Sequence, residues 1–137
     1  MSKRTARETA MKMLYQYSIT GELHAEDVKN KTGVMDETAL SAPAMDFVAR
    51  VESGFREKEG EIDEMISSCS RSWKLERISK VDLAILRLAI FEIEWMDTPP
   101  KVAVNEAVEI AKAFSTEKSF QFINGLLGGY LKERRAE

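Results

Sequence analysis

Arg4, Arg7, Met11 and Tyr15 follow one another at helical spacing, so at 100° per residue a helix would carry them on one side. Cations beside a flat ring suit single-stranded RNA, whose phosphates attract positive charge and whose unstacked bases take a planar partner. The plainer alternative is a solvated helix face with Tyr15 roofing the core. Glu106 and Glu109, one turn apart, are the other pair with chemical possibilities, because two carboxylates could hold a metal. A dinuclear carboxylate bundle needs a second pair and a histidine one turn away, and the single His24 lies in a polar stretch without ligand spacing. Cys69 is the only cysteine, which excludes an internal disulfide and a cysteine metal cluster. No G-x-x-x-x-G-K-[ST] or G-x-G-x-x-G loop occurs, and no His or Cys stands beside the carboxylates to make a nucleophile pair. These residues predict a binding module with no catalytic centre, no cofactor and no metal.

The elements that must position these side chains are helical. Ile78–Met96 is apolar on nearly every turn, which predicts a central helix covered on most sides. Lys80, Asp82, Arg87, Glu92 and Glu94 interrupt it, so it is unsuited to a membrane. Ser79 and Asp82 mark its start, and Pro99 and Pro100 its end. A T-x-x-E box at Thr5 and Glu8 predicts a first helix over about 6–19, closed by Gly21. A short helix and a loop are expected within 22–40. Ser41 and Pro43 open a third helix through Phe55, and a fourth holds Ile62, Met65, Ile66 and Cys69, with a bend or break in the charged run 56–61 around Gly60. Trp73 is expected to plug the end of the bundle. Val104, Ala107, Val108, Ala111 and Phe114 mark another helix, and Ser115 caps a last one. In that last helix Gly125 is expected to allow close packing and Gly128 and Gly129 to weaken the final turns. No stretch alternates with period two, so the expected fold is all-α, a single domain over 1–137 with six or seven helices.

The formal net charge of −3 hides an asymmetry, since residues 1–20 carry Lys3, Arg4, Arg7 and Lys12 against Glu8, or +3, and the remainder −6. A polar, basic N-terminus that leads into a helix predicts no signal peptide, and the lone cysteine fits a reducing, cytoplasmic setting.

Four blocks in order carry a resemblance: KRTARETAMKMLYQ at 3–16, WKLERISKVDLAILRLAIFEI at 73–93, PKVAVNEAVEIAKAF at 100–114 and FING at 122–125. Together they resemble the NusB family of bacterial transcription antitermination factors. The resemblance implies a small helical protein that pairs with the ribosomal protein NusE. The pair binds the boxA element of nascent ribosomal RNA leaders as a single strand and helps RNA polymerase pass terminators. Carried onto this chain, it implies RNA contacts at Lys3, Arg4, Arg7, Tyr15, Lys112, Phe114, Lys118, Ser119 and Phe122, and partner contacts at Glu76, Arg77, Asp82 and Glu92. Lys118 stands where family members often carry an acidic or neutral residue, and a cation there should strengthen RNA binding. Two alternatives stay open: the RNA-targeting domain of an rRNA methyltransferase, and a homodimer that stores the protein with its RNA surface hidden.

Overall fold

The computed structural model describes residues 3–23, 42–70 and 74–136, without the side chains of Lys3, Arg135 and Ala136. The described residues form α1 (Lys3–Thr20), α2 (Ala42–Cys69), a 3-10 turn (Leu75–Arg77), α3 (Lys80–Trp95), α4 (Pro100–Phe114) and α5 (Glu117–Ala136), with no strand among them. The all-α class agrees with expectation, but the described residues hold five helices where six or seven were expected of the chain. The helix expected within 22–40 lies, from His24 on, outside the described residues, as do Ser41 and Trp73.

The main correction is α2, a single helix of 28 residues across the expected bend or break, where two helices were expected. Val48, Val51, Phe55, Ile62 and Ile66 are buried along one stripe, and the charged run keeps its register. Within that run Glu59 turns inward and, with Asp63, meets Arg87 of α3. A charge in the run expected to bend or break the helix is therefore half-buried and paired across to α3. Gly60 costs on the order of 1 kcal/mol, too little to separate segments that are both anchored by burial.

α3 is the axis, touching every other helix, and each of its residues from Asp82 to Ile93 is buried. At its start Ser79 Oγ accepts the Asp82 backbone N–H at 3.1 Å. At its end the Glu92 carbonyl accepts the N–H groups of Met96 and Thr98, each at 3.1 Å, across Asp97 at φ 56°. That is a left-handed helix stop built on aspartate instead of glycine.

The remaining helix ends differ from expectation in detail. α1 is already helical at Lys3, so Thr5 lies inside it as the carbonyl acceptor of Thr9 Oγ1, at 2.9 Å, and is no cap. Gly21, at φ +79°, ends α1 as expected. Thr116 caps α5, its Oγ1 accepting the Ser119 N–H at 3.2 Å, while Ser115 donates to Asp82 Oδ1 at 3.0 Å. α5 runs unbroken through Gly125, Gly128 and Gly129, where an added Cβ would meet nothing within 4 Å. The close approach is at Gly54 of α2, where a Cβ would lie 2.9 Å from Phe91 Cζ of α3. Among the described residues no helix is long and apolar enough to cross a membrane.

Candidate nucleic-acid interface

Side-chain pairs show how α1 lies against α4. The Arg4 guanidinium donates to both oxygens of Glu106, at 3.0 and 2.9 Å, and Lys12 Nζ stands 5.1 Å from the Phe114 ring centre. Both steps are eight residues, so the two helices run in the same direction and in register. α1 packs on α3 and α2, burying Ala10, Met13 and Leu14, while Arg4 and Lys12 reach across to α4. The helix has no wholly solvated face left for an RNA strip.

Arg7 is the clearest departure. Its side chain is buried at 5% exposure and grips Glu92, itself at 1%, with Nε–Oε1 3.0 Å, Nε–Oε2 2.9 Å and Nη2–Oε1 2.8 Å. Thr98 Oγ1 donates to the same carboxylate at 3.0 Å, and Phe47 lies 5.6 Å from the guanidinium carbon. Arg7 was expected on an RNA face and Glu92 on a partner face. The structure places them inside, bound to each other, because a carboxylate on the buried side of α3 requires a fixed cation. Met11 is buried as well, and Tyr15 is half-buried.

The other expected cations and rings come together where α4 turns into α5. Phe114 is 40% exposed beneath Lys12. Lys112 lies 5.3 Å from the Phe120 ring centre and 3.2 Å from Glu109 Oε2. Beyond the turn, Lys118, Ser119 and Phe122 line a cleft of about 390 Å³ together with Arg77, Ser79 and Asp82. Residues expected at RNA and residues expected at a protein partner thus share one cleft. Asp82 is buried at its floor and held by Ser115, whereas Glu76 and Arg77 are exposed in the 3-10 turn.

Arg4 keeps a side chain that is 42% exposed. Its hydrogen bond holds the Glu106 carboxyl below the usual range, against the opposing effect of burial, and Glu106 in turn raises Arg4. Glu106 and Glu109 point to different cations, and among the described residues no three His, Cys, Asp or Glu gather as a metal-holding group. Lys3 is helical, but its side chain lies outside the described residues.

Two members of this face, Lys12 and Phe120, escaped the sequence reading. Lys12 follows Arg4 and Glu8 on one i+4 ridge, a signal that could have placed it beside them. Phe120 carries no such signal, since only the angle between α4 and α5 brings Lys112 over it.

The NusB family profile matches residues 4–132. The transcription antitermination protein NusB of Clostridium botulinum is 41% identical over 140 aligned residues, covering 93% of this chain and 98% of its own. The solved NusB of T. maritima superposes with a TM-score of 0.83 at 34% identity, over 97% of this chain and 92% of that one. A structure of the antitermination factors NusB and NusE with double-stranded RNA superposes at 0.79 and 23% identity, over 95% and 96%, a likeness of fold. With a central apolar helix, the α1–α4 pairing and matches across nearly its whole length, the chain belongs to the NusB family.

Proposed function

We propose that this protein is a transcription antitermination factor that binds single-stranded, boxA-type RNA of nascent rRNA leaders together with NusE and promotes read-through by RNA polymerase. The observation that carries it is the pair of rings at the α4–α5 turn, Phe114 and Phe120, each covered by a lysine ammonium, Lys12 and Lys112. A base can take the ammonium's place on the ring while the ammonium moves to a phosphate, so one exposed site serves both halves of a nucleotide. Arg4, Tyr15, Lys118, Ser119 and Phe122 extend that face, and Lys3 would add a further cation at the start of α1. Glu76, Arg77 and the Asp82 side of the cleft are the surface for NusE. The names of the relatives support a role as a factor and not as an enzyme.

The test measures RNA affinity of the protein alone, of NusE alone and of the pair. The pair should bind a boxA-type strand better than either component. Phe114→Ala with Lys12→Ala should weaken binding roughly tenfold to a hundredfold, the range of one or two lost stacking contacts, with the fold intact. Equal affinity of variant and parent at low salt would remove RNA from this face.

A further inference from the structure

A second groove continues from Lys112, between α4 and α5 and away from the cleft that holds Asp82. It has a volume of about 430 Å³, with Val104, Val108 and the Phe120 ring among its lining residues. Asn105, Gln121 and Asn124 line it as well, all three exposed and, among the described residues, without a side-chain hydrogen bond inside the chain. Lys101 and Lys112 also line it, and no carboxylate does. Gly125 leaves its wall open, since a Cβ there would meet nothing within 4 Å.

We propose that this groove is a second RNA subsite, which takes the nucleotides that run on from those on Phe114 and Phe120. The inference rests on the RNA reading of the α4–α5 turn. Three features favour a nucleic-acid strand as the occupant. The lining charges are of one sign, Lys101 and Lys112, and the Glu109 carboxylate that meets Lys112 at 3.2 Å from outside the lining is an exposed partner that a phosphate can replace. The polar groups are amides, each offering both a donor and an acceptor, which is what the edge of an unpaired base matches. The spacing is also right: Lys101 and Lys112 are eleven residues apart on one helix, about 16 Å, roughly the rise of five stacked nucleotides. Lys112 belongs to both sites, so a strand can pass from one to the other without leaving the surface. Another cleft, lined by Glu61, Glu64, Glu94 and Glu133 against the single cation Arg134, has the opposite net sign and would repel the same strand.

The experiment compares a single-stranded RNA of about eight nucleotides with the same RNA lengthened by about six at either end, on the full chain with NusE. One extension should raise affinity about tenfold. Gln121→Ala with Asn124→Ala, at exposed positions of a helix that tolerates alanine, should abolish that gain and leave the short RNA unaffected. Lys101→Ala should lower the dependence of log affinity on log salt for the long RNA by about 0.7. Equal binding of long and short RNA, or a gain that survives the double variant, overturns the subsite and leaves the first RNA site standing. Loss of NusE affinity in the double variant, with no effect of RNA length, would assign the groove to protein instead. Failure of both RNAs to bind overturns the subsite and the RNA reading together.

Discussion

The interior and the α4–α5 surface use the same ingredients, a cation over an aromatic ring, in opposite ways. Inside, the cations are arginines: Arg7 over Phe47 and gripping Glu92, and Arg87 over Phe55 and gripping Asp63 at 2.9 and 2.8 Å. On the surface they are lysines, Lys12 over Phe114 and Lys112 over Phe120. A guanidinium in a two-pronged carboxylate clamp is held in one geometry, whereas an ammonium on a flexible stem makes a contact it can exchange. The arginines therefore join helices, and the lysines stay available to a ligand.

Glu92→Ala presses on this contrast hardest. It leaves Arg7 buried without its carboxylate, which should destabilise the protein by about 3–5 kcal/mol, read as a lower urea midpoint with an unchanged slope. RNA affinity per folded molecule should stay within twofold or so, because the pair lies beneath the surface. Stability unchanged within about 0.5 kcal/mol, with RNA or NusE affinity lost, would turn the comparison round and put Glu92 in a functional contact.

Lys12→Ala and Lys112→Ala probe the surface half. Each should leave stability within about 0.5 kcal/mol of the parent and lower the salt slope of RNA binding by about 0.7. A variant with a large loss of stability and an unchanged slope would show that its lysine is structural, as Arg7 is.

How far the sequence carried follows the same division. The central helix was plain from Ile78–Met96, because a stretch apolar on every side has few places to go. Charge was harder to read. Arg4 and Arg7 share a helix face, yet one is half-exposed and the other sealed, because the outcome depends on which helix arrives opposite. The run 56–61 looked like a bend or break for a related reason: Glu59 turns inward, half-buried, only when Arg87 stands across from it. Gly54 gave no local sign of its contact with Phe91, Gly125 suggested packing that does not occur, and Gly128 and Gly129 suggested weakened turns where α5 continues to Ala136. Long-range pairing decides each of these, and spacing within one helix does not record it.

Arg4 and Glu106 stand between the two classes, an arginine clamp at the surface, and acid separates their contribution from the others. The Arg4 hydrogen bond pulls the Glu106 carboxyl below its ordinary value of 4.5. A depressed carboxylate stabilises the fold fully above its unfolded value, and that stability is lost as pH falls through the lower folded value. Arg4→Ala should therefore reduce stability near neutral pH, and the gap to the parent should close in the acid range below about 4.5. Arg7 Nη1, 3.9 Å from Glu106 Oε1, still lowers the carboxyl in the variant, so some of the acid dependence should remain. The loss should be far below that of Glu92→Ala, because solvent screens a half-exposed arginine, and adding salt at neutral pH should shrink it further. Thermal unfolding of parent and variant across the acid range provides the check. A gap that persists to low pH would mean that Arg4 acts through its packed stem and not through its charge.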